Sequence, residues 1–211
     1  MILEGYNIRL IRLTKDDIEL VRHWRNSESI KKFMNYRDHI TEAMQEKWFE
    51  SVDTMYHNYF IIEYNNEKLG LINGSEIDWD NKVTGNGGIF LWNTSYPEAA
   101  LSASLLLTDA SFALGFKETY IKNLKTNVIA IEYNLALGYT QLPDDDEIFY
   151  KFVLTEDNYR SKTNKLKTAL FTEQARTLKF YFNDMEHPVT QLFYDKVKSI
   201  KNDQISIITN E

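Results

Sequence analysis

The spacing of apolar and polar residues divides the first quarter of the chain into one strand and two helices. Residues 6–12 alternate partly between apolar and polar and predict a strand. A capping-box-like start at Thr14 predicts a short helix that ends near Arg25. Thr41 opens a second helical pattern, in which apolar residues recur four apart up to Val52. We therefore expect a strand followed by two helices.

The middle of the chain changes to the period of β-strands and then alternates with helices. Strand formers at residues 59–64 and 69–77 flank a polar turn and predict a hairpin, which a third strand follows at residues 88–92. The remaining predicted elements are a helix at residues 97–114, a strand at 119–124, a helix at 128–138 and strands at 139–142 and 148–154. This order predicts an α+β fold, with a mainly antiparallel central sheet flanked by helices.

The pattern changes again beyond Thr163. Apolar residues at helical spacing predict a first tail helix, through Leu166, Leu170, Leu178 and Tyr181. Residues 188–200 predict a second helix that begins with proline. We expect one domain over residues 1–162 and a helical extension over residues 163–211. The extension could cover the domain's own apolar surface, form a homodimer or close over a binding cleft, and the sequence leaves these alternatives open.

The composition narrows the chemistry that the chain can perform. Cysteine is absent from the 211 residues, which excludes disulfides, cysteine–zinc sites and a thiol nucleophile. The four histidines show no ligand spacing, so we expect no metal site. A net charge of −7 disfavours nucleic-acid binding. Neither a signal-like start nor a membrane-spanning stretch is evident, so we expect a cytoplasmic protein without membrane contacts.

A resemblance to a known superfamily adds to this picture. Asn127, Ala130 and Ile131, followed by Leu-Gly-Tyr at residues 137–139, resemble a segment of the GNAT superfamily of acyl-CoA-dependent N-acyltransferases. The order of predicted elements matches that superfamily over residues 6–157. Three further segments are similar to the branch that includes ribosomal-protein and amino-sugar-nucleotide acetyltransferases: His-Trp-Arg-Asn at 23–26, Phe-Met at 33–34 and Trp-Phe at 48–49.

The resemblance implies an N-acetyltransferase with acetyl-CoA as its co-substrate. A primary amine would attack the thioester directly, and the acceptor would be a small molecule or a peptide. The branch that the N-terminal half resembles favours an amino sugar nucleotide or a protein N-terminus.

The resemblance also implies where coenzyme A binds. In the family, a Gln/Arg-x-x-Gly-x-Gly/Ala loop at a helix N-terminus holds the pyrophosphate through backbone N–H groups. The corresponding residues here are 95–100, of which Ala100 fits the pattern and Glu98 occupies the place of a glycine. The implied cofactor-binding residues are Phe90, Leu91, Trp92, Tyr96, Glu98, Ala99, Ala100 and Asn127.

Each of these assignments has a structural alternative. The strand around Leu91 would be buried core in any case, and Asn127 is also a good helix N-cap. A carboxylate at Glu98 adds like-charge repulsion to a pyrophosphate. The sequence therefore supports a second hypothesis, a catalytically inactive GNAT-like binding or assembly module whose phosphate loop has decayed.

Two residues are candidates for proton transfer. Glu76 lies on the predicted third strand, which in the family borders the acceptor, and is the candidate base. Its alternative is an exposed strand carboxylate. Tyr133 lies one position before the family's acid tyrosine and is the candidate acid, with a packing role beside Ile129 and Leu137 as its alternative.

Overall fold

Ten strands and seven helices follow one another in the computed structural model, which describes residues 1–143, 145–200, 202–203 and 205–209. The strands are β1 (Ile2–Gly5), β2 (Ile8–Arg12), β3 (Asn58–Tyr64), β4 (Glu67–Asp78), β5 (Val83–Leu91), β6 (Glu118–Leu124), β7 (Thr140–Gln141), β8 (Phe149–Thr155), β9 (Leu178–Phe182) and β10 (Ile205–Thr209). The helices are α1 (Ile18–Arg25), α2 (Glu28–Lys31), α3 (Glu42–Val52), α4 (Ala99–Ala113), α5 (Val128–Leu137), α6 (Glu156–Leu170) and α7 (Pro188–Ser199).

All ten strands belong to one sheet in the order β10-β9-β1-β2-β3-β4-β5-β6-β8-β7. The pairings between described residues are antiparallel, except that β5 pairs with β6 and β9 with β10 in parallel. This arrangement confirms the predicted mainly antiparallel sheet flanked by helices. Among the described residues, each helix is too short or too polar to cross a membrane.

The N-terminus forms a hairpin that the sequence pattern did not predict. β1 pairs with β2 from Ile2 to Gly5, and the predicted strand at residues 6–12 begins only at Ile8. Tyr6 and Asn7 form the turn, with φ of 53° and 60°. Two consecutive positive φ values are typical of a type I′ turn, for which tyrosine is an uncommon residue. Tyr6 is 1% exposed, so tertiary packing stabilises this turn.

The second hairpin follows local turn chemistry. Asn65 and Asn66 have φ of 49° and 63° and connect β3 to β4. Asparagine tolerates positive φ better than other residues with a side chain, so this turn was predictable from sequence. The hairpin and β5 together confirm the predicted run of three antiparallel strands.

Helices cover both faces of the central strands. In β3, Phe60 and Ile62 belong to the core beneath α4, whereas Ile61 between them packs with residues of α1 on the opposite face. Alternate side chains of a strand point to opposite faces, which explains this division. The sheet is therefore the middle layer between α4 on one side and α1 with α3 on the other.

The C-terminal segment extends the sheet as well as adding helices. Leu178 and Tyr181, which were predicted to lie on a helix, belong to β9, which pairs with β1. Leu178, Phe180 and Phe182 are buried at a spacing of two, and this burial is the reason for the strand. α6 crosses the predicted boundary between residues 162 and 163. The division into two domains stays a prediction, and residues 210–211 lie outside the described residues.

A buried ion pair joins the C-terminal segment to α4. Lys167 Nζ lies 3.0 Å from Asp109 Oδ1, and the Tyr6 hydroxyl donates to the same carboxylate. α6 packs through Tyr159, Thr163 and Lys167, whereas Leu166 of the predicted stripe is 38% exposed. The pair thus links α4, α6 and the N-terminal hairpin.

Candidate functional site

β5 and β6 meet at one end and separate at the other. Their parallel pairing is confined to Val83 with Glu118 and Thr84 with Thr119. The Thr84 and Thr119 hydroxyls are hydrogen-bonded to each other at this junction. Beyond it β5 continues beside β4 and β6 beside β8, so the two strands diverge.

The divergence opens a cavity of about 1110 Å³ that passes between the helical layers. The cavity is bounded on one side by residues of α1 and α3 and on the other by residues of α4 and α5. Its volume is slightly above the range of roughly 300–1,000 Å³ for small-molecule sites. The cavity is the candidate functional site.

One backbone edge of β5 faces this gap. The Trp92 N–H donates to the Leu69 carbonyl on the β4 side, at 2.9 Å. Because successive N–H groups of a strand point to opposite neighbours, the N–H groups of Leu91 and Ile89 point into the gap. The side chains of all three predicted residues, Phe90, Leu91 and Trp92, line the cavity.

The start of α4 also borders the cavity, through Ala100. The Ala99 N–H donates to the Tyr96 carbonyl at 3.1 Å, and the Ser102 N–H donates to the Glu98 carbonyl at 2.9 Å. Between them, the N–H groups of Ala100 and Leu101 have no backbone acceptor in the described part of the chain. This helix start therefore offers two backbone donors for an anion.

The other residues of the predicted loop face elsewhere. Ala99, the first residue of α4, is fully buried, and the Glu98 side chain is exposed. The Tyr96 hydroxyl donates to Glu67 Oε1 at 3.2 Å, and its ring packs edge-on against Tyr64. None of these three side chains is among the described residues that line the cavity.

The position of Asn127 allows both of its predicted roles, as a helix N-cap and as a cofactor contact. Its Oδ1 accepts the Ala130 N–H at 3.2 Å, which confirms that it is the N-cap of α5. Asn127 also lines the cavity. A second amide pair, in which Asn134 Nδ2 donates to Asn123 Oδ1 at 3.0 Å, lines the same wall and was not predicted.

Tyr133 lies where α5 approaches the start of α4. Its hydroxyl is 3.0 Å from the Ala100 carbonyl oxygen and 2.8 Å from Ser104 Oγ. Burial raises the pKa of Tyr133 to about 12, so the phenol is protonated at neutral pH. Ile129, expected to share its packing stripe, is 73% exposed, so the predicted stripe is incomplete, although Leu137 is buried.

Glu76 lies at an irregular point of β4. Its φ is 53°, and the pairing with β5 shifts register between Ser75 and Asp78. Its side chain is exposed and its Oε1 accepts from Asn86 Nδ2 at 3.2 Å. Glu76 is outside the cavity lining, so the structure does not bring it together with the other candidates.

The segment at residues 23–26 closes the α1 side of the cavity. Trp24 stacks on Trp92 at 6.1 Å with an angle of 4° between the rings. Asn26 Nδ2 donates to the Ile40 carbonyl at 2.9 Å, and its Oδ1 accepts the Ile40 N–H at 2.8 Å. Arg25 between them lines the cavity, with its Cζ 6.0 Å from the centroid of Phe90. Of these three consecutive residues, Trp24 thus stacks on Trp92, Arg25 lines the cavity and Asn26 anchors the loop at Ile40.

Sequence reasoning missed several polar residues of the cavity wall. They include Gln45, Asn58, Tyr59 and Asn73, and Ser104 on the α4 side. The sequence signal that could have found them is a polar residue within an otherwise apolar packing face, as at Gln45 in the pattern of α3. In the described residues no group of three or more acidic or histidine side chains could hold a metal ion.

Comparisons with known proteins agree with this architecture. No family model matches the chain. An uncharacterised protein of Methanocaldococcus jannaschii is 25% identical over 141 residues, which are 64% of this chain, and the chain spans 28% of the length of that relative.

Two solved structures illustrate the fold. FdhC, described as a nucleotide-linked sugar GNAT, superposes with a TM-score of 0.64 at 20% identity, covering 81% of this chain and 98% of that one. The microcin C7 self-immunity acetyltransferase MccE, solved with acetyl-CoA and AMP, gives a TM-score of 0.58 at 17% identity, covering 71% and 92%. The chain has the fold of the GNAT acetyltransferases, which confirms the resemblance at the level of the fold.

Proposed function

We propose that this protein is an acetyl-CoA-dependent N-acetyltransferase that transfers the acetyl group directly to a primary amine. One observation carries the proposal: the gap between β5 and β6 opens into a single cavity that runs from the start of α4 to the face of α1 and α3. Such a passage lets a thioester and an amine enter from opposite sides and meet at the gap.

The α4 side of the cavity suits acetyl-CoA. The N–H groups of Ala100 and Leu101 at the helix start would hold pyrophosphate oxygens. The N–H groups of Leu91 and Ile89 would donate to the pantetheine amide and to the thioester carbonyl. MccE, which shares the fold, was solved with acetyl-CoA, and this supports the assignment by analogy.

The transfer forms a C–N bond and breaks the C–S bond of the thioester. The amine loses one proton and the departing thiolate gains one. Tyr133 is the candidate donor to the thiolate, because its phenol carries a proton at neutral pH and lies in the cavity wall beside the start of α4. Glu76 stays the predicted base, and a Glu76→Gln variant with unchanged turnover would remove it from that role.

The acceptor is proposed at the level of a class. FdhC is described as a nucleotide-linked sugar GNAT, which agrees with an amino sugar nucleotide as the acceptor. A protein N-terminus is the second candidate. The aromatic wall formed by Trp48, Tyr59, Phe90 and Trp92 on this side suits a flat or ring-shaped group.

A binding or assembly module is the second candidate function. The observation that favours it is the loop at residues 95–100, in which Glu98 stands where the family has a glycine. Its exposed carboxylate competes with a bound phosphate for the positive end of α4. In that case the cavity would take a ligand or partner without turnover.

Calorimetric titration with acetyl-CoA, and with free coenzyme A for comparison, tests the proposal first. We expect micromolar affinity, followed by amine-dependent release of coenzyme A thiol in a panel of amines. Because the chain has no cysteine, a thiol reagent detects only the product. Absence of binding at millimolar acetyl-CoA would favour the binding module.

Two variants of the same loop make the test specific to the cavity. Ala100→Glu places a carboxylate in the cavity wall and should weaken acetyl-CoA binding about 100-fold or more. Ser95→Glu adds the same charge at an exposed position of the loop outside the lining and should change the affinity about threefold or less. Equal effects of the two variants would contradict the proposed phosphate position.

A further inference from the structure

Arg25 is a half-buried cation without an acidic partner in the described part of the chain. Its Nε is buried and has no hydrogen-bond partner, and no ion pair joins Arg25 to a described carboxylate. Burial lowers the pKa of its guanidinium. By contrast Arg12, which is more deeply buried, has Asp53 Oδ1 at 3.2 Å from its Nη2. A charge that is partly withdrawn from water normally has a counter-ion, so a ligand is the natural partner for Arg25.

Gln45 contributes a second unpaired polar group to the wall of the same cavity. The side chain is 4% exposed and lines the cavity, and its Nε2 is buried and has no hydrogen-bond partner. Buried polar atoms are almost always hydrogen-bonded, and an unpaired one calls for an explanation. Arg25 in α1 and Gln45 in α3 therefore bring N–H groups without an acceptor to one wall of the cavity.

The charge of this space is positive. Among the described residues, the charged side chains that line the cavity are Arg25, Glu118 and Lys122. Glu118 and Lys122 belong to β6 on the far side of the gap, and Glu118 accepts from the Tyr120 hydroxyl at 2.6 Å. Among the described residues, Arg25 is thus the one charged residue that lines the cavity on the side of α1 and α3. An anion there gains a counter-ion and meets no carboxylate.

We propose that Arg25 and Gln45 bind an anionic group of the acceptor, a carboxylate or a phosphate, beside the strand where the acetyl group is transferred. The inference rests on the proposed function, whose acceptor it specifies. The Arg25 Cζ lies 6.0 Å from the Phe90 ring, and the next residue, Leu91, directs its N–H into the gap. The bound anion therefore lies near the reacting amine. Polyamines, which carry further positive charge, are disfavoured as acceptors.

Three primary amines with the same three-carbon chain test this assignment. 4-Aminobutyrate carries a carboxylate on this chain, 3-aminopropylphosphonate carries a phosphonate that stands for a phosphate, and propylamine carries neither. We expect kcat/KM to be about tenfold higher or more for an anionic amine than for propylamine. The comparison of carboxylate with phosphonate identifies which anion the site prefers. Propylamine turnover equal to that of both anionic amines would overturn the proposal.

Variants connect the selectivity to the two donors. Arg25→Gln should lower kcat/KM about tenfold or more for the preferred anionic amine and leave propylamine within about twofold. Arg25→Lys should restore part of the loss, and Gln45→Met should cost about tenfold for the anionic amine alone. Arg37→Gln is the matched control, since Arg37 is exposed and is not among the described lining residues. An equal loss for all three amines in Arg25→Gln would overturn the proposal.

A binding measurement separates this proposal from the proposed function. Trp48 and Trp92 line the cavity, so their fluorescence reports ligand binding without acetyl transfer. Titration with 4-aminobutyrate and 3-aminopropylphosphonate should show binding to the natural protein and about tenfold weaker binding to Arg25→Gln. If acetyl-CoA does not bind but this difference holds, the enzyme assignment fails and the anion site stands. If the two proteins bind the probes equally, or neither binds them, the anion site fails whatever the turnover.

Discussion

Gly138 ends α5 at a point where any side chain would meet the backbone of α6. Its φ is 103°, and an added Cβ would lie 2.7 Å from the Asn158 carbonyl oxygen and 3.2 Å from the Tyr159 Cα. These are backbone atoms of a helix whose Tyr159 is fully buried, so they cannot move aside without shifting α6. Gly138→Ala therefore combines a backbone conformation that alanine disfavours with a steric overlap.

Gly115 provides the matched control for the conformational part. Its φ is 81°, and an added Cβ would meet nothing within 4 Å. A left-handed conformation costs an L-residue roughly 1–2 kcal/mol, which is the expected loss for Gly115→Ala. Overlap in a packed region adds about 1–3 kcal/mol, so we expect Gly138→Ala to lose about 2–5 kcal/mol. In a chain of this length each kcal/mol lowers Tm by about 2–4 °C.

Urea unfolding followed by circular dichroism measures both losses on the same scale. The two variants should share their m-value with the natural protein, and Gly138→Ala should have the lower midpoint. Because Leu137 and Tyr139 line the cavity, Gly138→Ala should also weaken acetyl-CoA binding, whereas Gly115→Ala should not. Equal losses of stability in the two variants would refute the argument that contact with α6 requires a glycine at position 138.

Three further predictions follow from buried or charged groups. Burial raises the pKa of Tyr133 from 10 to about 12, so the folded state holds this proton more tightly than the unfolded state. The free energy of unfolding should therefore be unaffected below pH 10 and fall by about 2–3 kcal/mol as pH rises from 10 to 12. Urea titrations at each pH should show that Tyr133→Phe lacks this part of the alkaline loss. Asp109→Asn leaves the buried ammonium of Lys167 unpaired and should cost about 3–5 kcal/mol, and the double variant with Lys167→Met should lose less, as thermal unfolding can measure. Glu98→Gln removes the carboxylate at the start of α4 and should raise acetyl-CoA affinity about 2–5-fold at low ionic strength, with a smaller gain in about 0.5 M salt by calorimetry.

Several elements of the site were predictable because their causes are local. Thr41 accepts the Met44 N–H and caps α3, and Asn127 caps α5, as the sequence indicated. Phe90, Leu91 and Trp92, which the resemblance implied as cofactor-binding residues, all line the cavity, and their contact with a cofactor stays a prediction. Their individual roles were not predictable, because the direction of each N–H depends on the pairing of β5 with β4.

The polar residues on the α1 and α3 side of the cavity were hidden from sequence reasoning. Gln45 is one of several polar residues of α3, and only the packing of α3 against the sheet buries it with its Nε2 unpaired. Arg25 belongs to the segment at residues 23–26 that resembles the family, but its lack of a counter-ion depends on which residues of distant segments pack around it. The reverse happened at Ile129, which the pattern placed in the core and the fold leaves 73% exposed.

The sequence by itself determined the elements whose backbone preferences and hydrogen bonds act within a few residues, such as the Asn65–Asn66 turn and the start of α3. Tertiary structure decided which strands pair and which side chains share a cavity. β9 pairs with β1, and Lys179 Nζ lies 2.8 Å from Glu4 Oε1 across almost the whole chain. Such contacts depend on burial and charge contributed by distant segments, and no local pattern contains that information.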